Sequence, residues 1–183
     1  MSNNLVKPEL GFGEALKLAF SRLWDFEGRS RRSEFWWFIF IFFVIKIIVN
    51  HLMQLWSVKA DSVAECLLML IPLAITIRRL HDSNKSGWWV HVSYVLGCLV
   101  QLIGVFTPVY DIVLRISNTT NPDKVLKIIQ DPLFKGYTAL SVIWVIASLI
   151  VVVFCFLDSN KTTNKYGDSP KYISGESNVV ELS

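Results

Sequence analysis

The sequence predicts an all-α integral membrane protein with four transmembrane helices, preceded by an amphipathic interfacial helix. Of its 183 residues, 52% are hydrophobic, and the mean hydropathy is +0.44. These values are too apolar for an ordinary soluble domain. The apolar residues also fall in long blocks, and the first block follows an arginine-rich stretch at 28–34. Positive charge directly before a long apolar block is typical of the cytoplasmic end of a spanning helix.

Four segments are apolar enough to span a bilayer, which requires about 20 residues for a core about 30 Å thick. They cover residues 35–56, 62–80, 88–110 and 137–157. The second segment is the weakest because it contains Pro72, which we expect to kink the helix; Arg78 and Arg79 would then lie at headgroup level. A re-entrant second segment is the alternative. We predict one domain over residues 1–173 and a flexible cytoplasmic tail at 174–183.

Lysine and arginine are distributed unevenly between the predicted loops. With four spans, both termini and the loop 81–87 lie on one side. That side carries twelve basic residues: Lys7, Lys17, Arg22, Arg29, Arg31, Arg32, Arg78, Arg79, Lys85, Lys161, Lys165 and Lys171. The other side carries five: Lys59, Arg115, Lys124, Lys127 and Lys135. The positive-inside rule therefore predicts cytoplasmic N and C termini.

Residues 10–24 precede the first span and have apolar residues at helical spacing, among them Phe12, Leu16 and Phe20. This pattern predicts an amphipathic helix. One interpretation is an interfacial helix on the inner leaflet, packed under the bundle. The alternative is a docking helix for a cytoplasmic partner.

Two further patterns predict helix packing and a helix start. Ser93, Gly97, Gln101 and Gly104 form a small-residue face on the third span, which favours close helix packing over a pore lining. In the outward loop, Asn121-Pro122 predicts the start of one short surface helix.

The three cysteines Cys66, Cys98 and Cys155 each lie inside an apolar segment and lack metal-ligand spacing. We expect all three to be reduced packing residues, without a disulfide framework. The sequence contains no nucleotide, metal or cofactor motif that we recognise. We therefore expect no cofactor and no bound metal.

Ionisable residues within a predicted span indicate function by default. Lys46 and His51 lie in the first span and Glu65 in the second, and antiparallel helices would bring them to comparable depths. One hypothesis is a proton or ion path. The alternative is that Lys46 pairs with Glu65 and fixes only the helix register.

Three polar motifs flank the predicted spans on the cytoplasmic side, at 26–37, 78–89 and 164–170. We expect their carboxylates Glu34, Asp82 and Asp168 to pair with arginines of a different motif, because guanidinium binds carboxylate bidentately. The candidate lipid or partner cluster comprises Arg29, Arg31, Arg32, Glu34, Arg78, Arg79, His81, Asp82, Tyr166 and Asp168. The alternative is that these motifs only hold the cytoplasmic loops together.

The order and spacing of these motifs resemble the YhaH-like family of small bacterial inner-membrane proteins, a family of unknown function. The resemblance extends from the amphipathic helix to Pro170 and is carried by Gly-Arg-x-x-Arg-Ser-Glu-Phe-Trp at 28–36 and Arg-Arg-Leu-His-Asp at 78–82. It implies a multi-pass protein of the bacterial inner membrane and implies no activity, catalytic residue or ligand.

These observations favour a membrane interaction or scaffold protein whose cytoplasmic cluster binds anionic lipid or an unknown protein partner. The alternative function is a small oligomeric transporter or channel that uses Lys46. We do not expect an enzyme, because no nucleophile or metal set accompanies His81 and Asp82. Nucleic-acid binding is disfavoured, since the positive-inside rule accounts for the net charge of +3.

Overall fold

A computed structural model describes residues 6–56 and 58–173. Side chains are described throughout these ranges except at residues 56 and 58–62. Every regular element in these ranges is an α-helix, apart from isolated bridges that pair Val6 with Tyr172 and Asn164 with Gly167. The helices are α1 (Phe12–Ser21), α2 (Arg32–Trp56), α3 (Val58–Leu68), α4 (Leu73–Asp82), α5 (Trp88–Phe106), α6 (Val109–Ser117), α7 (Pro122–Ile129) and α8 (Pro132–Phe156). The predicted tail at 174–183 lies outside the described residues.

The chain divides into two compact units. Unit 1 contains the described residues 6–44, 71–90 and 150–173. Unit 2 contains residues 45–70 and 91–149. The single domain over residues 1–173 stays a prediction.

Three of the described helices are long and apolar enough to cross a membrane. They cover Arg32–Leu55, Trp88–Phe106 and Pro132–Phe156, with mean hydropathies of 2.1, 1.8 and 2.8. Large apolar side chains on them are exposed, for example Phe43 on α2 and Ile146 on α8. Exposed apolar surface of this extent requires an apolar surrounding such as lipid.

The second predicted span is discontinuous. Residues 69–72 form a turn between α3 and α4, so Pro72 interrupts the helix where we expected a kink. The Pro72 carbonyl accepts hydrogen bonds from the Thr76 amide at 3.0 Å and the Thr76 hydroxyl at 2.6 Å, which begins α4 on the far side of the turn. Proline lacks the amide needed to continue the preceding helix. Arg78 and Arg79, expected at headgroup level, are 0% exposed.

The third and fourth predicted spans differ at their outer ends. The predicted helix 88–110 ends at Phe106, and the separate α6 follows with Pro108 as its N-cap residue. The predicted helix 137–157 begins earlier, at Pro132, because Asp131 Oδ1 accepts the amides of Leu133 and Phe134 at 2.8 and 3.2 Å. An acidic side chain in this position stabilises a helix start.

The two short helices predicted outside the spans are present. α1 lies within 10–24 and buries Ala15 and Ala19, while Phe20 is exposed. α7 begins as predicted: Pro122 is its first residue, and Asn121 Oδ1 accepts the amide of Asp123 at 2.9 Å.

The small-residue face of α5 packs within unit 2. A Cβ added at Gly97 would lie 2.4 Å from Met69 Cε and 2.8 Å from Trp144 Nε1. Ser93 Oγ lies 2.9 Å from Ser148 Oγ of α8. The predicted packing role of this face therefore agrees with its contacts.

Candidate functional site

The three polar motifs converge in unit 1, where most of their charged side chains are buried. Arg78, Arg79 and Asp82 are 0% exposed, and Glu34 is 1% exposed. Charged side chains are almost never fully buried unless they are paired. These residues and Arg29 form the arginine network (Arg29, Glu34, Arg78, Arg79 and Asp82), and their contacts decide what the network can do.

Asp82, the last residue of α4, binds two arginines. Its Oδ1 accepts from Arg29 Nε at 3.0 Å and lies 2.9 Å from Arg29 Nη2. Its Oδ2 lies 2.5 Å from Arg79 Nη1 and also accepts the Ser159 hydroxyl. One carboxylate thus joins the segment before α2, the end of α4 and the segment after α8.

Arg29 also holds the segment that follows α8. Its Nη2 donates to Asn160 O at 2.6 Å, and its Nη1 donates to Thr162 O at 3.0 Å and Gly167 O at 3.2 Å. The Asn160 amide in turn donates to Asp82 O at 2.8 Å. Arg29 therefore fixes an irregular segment through its main-chain carbonyls.

Arg78 connects α4 to the segment before α2. Its Nε donates to Ser30 Oγ at 2.9 Å, and its Nη2 lies 3.4 Å from Glu34 Oε1. Its Nη1 donates to the carbonyls of Arg22, at 2.6 Å, and Asp25. The same guanidinium thus binds a carboxylate and the turn that follows α1.

Two arginines bind carbonyls at the C-terminal end of α8. Arg79 Nε donates to Cys155 O at 3.0 Å, and Arg79 also donates to Leu157 O. Arg32 Nε donates to Leu157 O at 3.1 Å, and Arg32 also donates to Phe156 O. Cations at a helix C terminus satisfy its free carbonyls and interact favourably with the helix dipole.

His81 lies at the edge of the network. Its ring stacks on Tyr166 with centroids 3.6 Å apart, and its Nδ1 donates to Gly28 O at 3.2 Å. Gly28 has φ +77°, and a Cβ there would lie 3.1 Å from Arg22 Nη2. Burial lowers the pKa of His81, which favours the neutral imidazole.

The predicted pairing of carboxylates with arginines of another motif holds for two of the three. Glu34 pairs with Arg78 and Asp82 with Arg29, but Asp168 is exposed and accepts the Thr163 hydroxyl at 2.7 Å. The third motif is held instead by Arg29 through the Gly167 carbonyl. Sequence reasoning missed Ser30, Ser159 and Asn160, because serine and asparagine carry no distinctive pattern; only the position of Ser30 inside the first motif indicated a role.

A cavity of about 480 Å³ opens beside the network in unit 1. Its lining combines basic, acidic and apolar residues: Lys7, Pro8, Glu9, Leu10, Glu14, Leu18, Arg22, Arg29, Arg31, Glu34 and Pro170. Arg31 Nη1 donates to Pro8 O at 2.5 Å, and its Nη2 donates to Lys7 O at 3.2 Å. Among the described residues, no carboxylate forms an ion pair with Arg31 within 4.0 Å.

The predicted intramembrane site in unit 2 is only partly assembled. Lys46 Nζ lies 2.9 Å from Glu65 Oε1, whereas His51 is exposed. Asn50, four residues after Lys46, shares its helix face, which sequence reasoning missed. Asn50 Oδ1 and Glu65 Oε2 are buried without a hydrogen-bond partner among the described residues.

The arrangement in unit 1 can bind anions or stabilise the fold. Within residues 6–56 and 58–173, no cluster of three or more His, Cys, Asp or Glu side chains is placed to hold a metal ion.

Comparisons with known proteins identify a family that matches this chain. A family model described as "Protein of unknown function (DUF805)" matches residues 23–168. Inner membrane protein YhaI of Escherichia coli K12 is 36% identical over 83 residues, which are 43% of this chain and 70% of YhaI. Inner membrane protein YhaH of the same strain is 31% identical over 87 residues, 43% of this chain and 72% of YhaH.

Uncharacterized protein YiiR of E. coli K12 is 31% identical over 80 residues, which are 43% of this chain and 55% of YiiR. No solved structure matches the chain. The family model covers the first two polar motifs, residues 164–168 of the third, and well over half of the sequence, which confirms the predicted resemblance. The chain therefore belongs to the DUF805 family of unknown function.

Proposed function

We propose that this protein is a non-catalytic, multi-pass interaction protein of the bacterial inner membrane that binds anionic lipid headgroups beside its arginine network. The inner-membrane placement is supported by the similarity to the inner membrane proteins YhaI and YhaH. The cavity next to Arg31 carries the lipid proposal. A protein partner and a second copy of the chain stay predictions from the sequence.

The contacts of the two chain ends support four spans with both termini on one side. The Lys7 amide donates to Lys171 O at 2.9 Å, so residues that precede the first span pair with residues that follow the last. Three continuous spans alone would place these residues on opposite sides of a membrane. We infer that residues 62–80 make a fourth, discontinuous crossing; the excess of lysine and arginine then places both termini in the cytoplasm.

Burial of Arg78 and Arg79 restricts the proposed lipid site to the cavity, which Arg29 and Arg31 of the first motif line. Arg29, Arg78 and Arg79 already donate to carboxylate or carbonyl oxygens of the protein. A headgroup phosphate would have to compete with these internal partners. The Arg31 guanidinium donates to the carbonyls of Pro8 and Lys7 and forms no ion pair within 4.0 Å among the described residues, so it adds positive charge to the cavity wall.

The cavity has the mixed character that an amphiphile requires. Lys7 and Arg31 supply positive charge, while Leu10 and Leu18 supply apolar wall. A lysine near an anionic membrane surface contributes about 1 kcal/mol to lipid binding. Glu9 and Glu14 also line the cavity, so the ammonium of a zwitterionic headgroup is the competing ligand.

The test is native mass spectrometry of the full chain in mild detergent, titrated with phosphatidylglycerol, phosphatidylethanolamine or phosphatidylcholine. We expect phosphatidylglycerol to bind most tightly and Lys7→Gln to weaken it by about fivefold. Lys17→Gln is the matched control, because Lys17 is an exposed lysine on α1 that does not line the cavity. Equal binding of all three lipids, or equal losses in the two variants, would overturn the proposal.

The transporter alternative has one observation in its favour: Asn50 Oδ1, on the helix face of Lys46, and Glu65 Oε2, of the Lys46–Glu65 pair, are buried acceptors without a partner in the part of the chain that the structure describes. Buried acceptors without partners are rare and often mark functional sites. This alternative predicts a flux across proteoliposomes that Lys46→Leu abolishes while the protein remains folded. The Lys46–Glu65 ion pair itself supports the register role instead.

A further inference from the structure

We propose that Cys66 and Cys98 form a dithiol pair that a disulfide oxidant closes to a disulfide between α3 and α5. Their Sγ atoms lie 3.6 Å apart, which is thiol–thiol contact, and both cysteines are free. The inference is independent of the proposed lipid site, since both cysteines belong to unit 2 and the cavity to unit 1.

Packing around Gly97 sets the approach of the two thiols. Gly97 precedes Cys98, and a Cβ on Gly97 would lie 2.4 Å from Met69 Cε, three residues after Cys66. The absence of a side chain at Gly97 thus lets the end of α3 lie directly against α5. The thiols meet because of this close approach, without any sequence spacing that relates them.

Accessibility separates this pair from the third cysteine. Cys66 and Cys98 are only partly buried, whereas Cys155 is 2% exposed. Because Cys98 lies on the apolar span α5, an apolar disulfide reagent can reach the pair more readily than Cys155. Reactivity of a thiol requires access as well as formation of the thiolate.

A low-molecular-weight disulfide is the oxidant that converts the two cysteines to a disulfide. The thiolate of one cysteine attacks the reagent's sulfur–sulfur bond, forms a mixed disulfide and releases one reagent thiol. The second cysteine then attacks the protein sulfur of that mixed disulfide, closes the Cys66–Cys98 bond and releases the second reagent thiol. The two cysteine protons leave on the two released thiols, and the reagent gains the two electrons that the cysteines lose.

The test treats the full chain in mild detergent with dipyridyl disulfide and then labels the remaining thiols with a maleimide after denaturation. We expect the protein to lose two hydrogen atoms in mass and maleimide labelling to fall from three cysteines to one, Cys155. Digestion without reductant should give one peptide pair linked through residues 66 and 98. Cys155→Ser should cross-link like the wild type.

Two variants make the result decisive. Cys66→Ser and Cys98→Ser should each trap a stable mixed disulfide on the remaining partner, with no internal cross-link. Stable pyridyl adducts on both cysteines of the wild type would overturn the proposal. So would a cross-link between chains, or three unreacted thiols.

Discussion

At the residue scale, the central feature is a carboxylate that compensates two buried guanidinium groups. Asp82 is fully buried and contacts both Arg29 and Arg79. Removing charges from water costs several kcal/mol per ion, which is recovered only when each charge keeps its partners. Asp82 is therefore the position in unit 1 where a single atom change has the largest expected effect.

Asp82→Asn tests this directly. The amide is nearly the same size but leaves two buried arginines without their countercharge. We expect the free energy of unfolding to fall by about 3–5 kcal/mol. Denaturant unfolding in detergent, followed by circular dichroism, measures the change.

Asp158→Asn is the matched control for that substitution. Asp158 also pairs with a cation, Lys171 at 2.8 Å, but about half of its side chain is exposed. An exposed pair contributes about 1 kcal/mol or less. Equal losses in the two variants would contradict the interpretation that burial makes the Asp82 contacts important.

His81 gives the fold a pH dependence of known sign. Burial lowers its pKa in the folded protein, so the unfolded chain binds more protons between that value and the ordinary value of about 6.5. Stability contributed by His81 is thus present above about pH 6.5 and is lost as the pH falls towards the folded pKa. Melting temperatures at about pH 7.5 and pH 5.5 should differ more for the wild type than for His81→Gln.

Carboxylates titrate in both proteins over this pH range. The contribution of His81 is therefore the difference between the pH-dependent changes in melting temperature of the wild type and of His81→Gln. An identical pH response in the two proteins would show that the imidazole does not carry this dependence.

The arginine contacts were partly predictable from the residues alone. Glu34 and Asp82 pair with arginines of another motif, as the motif chemistry indicated. Their burial was not predictable, because the positive-inside rule already explains arginines beside a span and places them in water. Arg29 shows why: its tertiary partners include carbonyls at residues 160, 162 and 167, more than 130 residues away in sequence.

At the element scale, the discontinuity between α3 and α4 distinguishes this chain from a bundle of uninterrupted helices. The composition of residues 62–80 predicted an apolar helical segment altered at Pro72, and the structure has helices on both sides of this proline. The sequence could not decide between a kinked and a broken helix, because proline in a membrane helix is tolerated where neighbours satisfy the freed carbonyls. Here the Pro72 carbonyl is used by Thr76 at the start of α4.

The ion pair between α2 and α3 gives a prediction at this scale. Lys46→Leu leaves Glu65 partly buried without its cation, so we expect a loss of stability of about 3 kcal/mol. Lys46→Leu/Glu65→Leu removes both charges and should return the protein close to wild-type stability. Thermal unfolding in one detergent measures both variants.

If the Lys46–Glu65 pair only fixes the helix register, the double variant should keep every other property of the wild type. A double variant less stable than Lys46→Leu would contradict that role. It would indicate that Glu65 stabilises unit 2 independently of Lys46.

At the scale of the whole molecule, the described chain ends meet in unit 1 together with all three polar motifs. The sequence supplied the charge asymmetry, and the contact between residues 7 and 171 supplies an independent argument for an even number of crossings. Both the lipid proposal and the placement of the arginine network depend on this topology.

The measurement that tests the account most directly is the side of the membrane reached by the two ends and by the loop at residues 118–121. Single cysteines placed at residues 3 and 176 and at residue 119, in a chain whose three native cysteines are serine, are labelled in intact cells with an impermeant maleimide. We expect labelling at 119 alone, with residues 3 and 176 labelled only after the cells are opened. Labelling of exactly one terminus in intact cells would contradict the fourth crossing by residues 62–80.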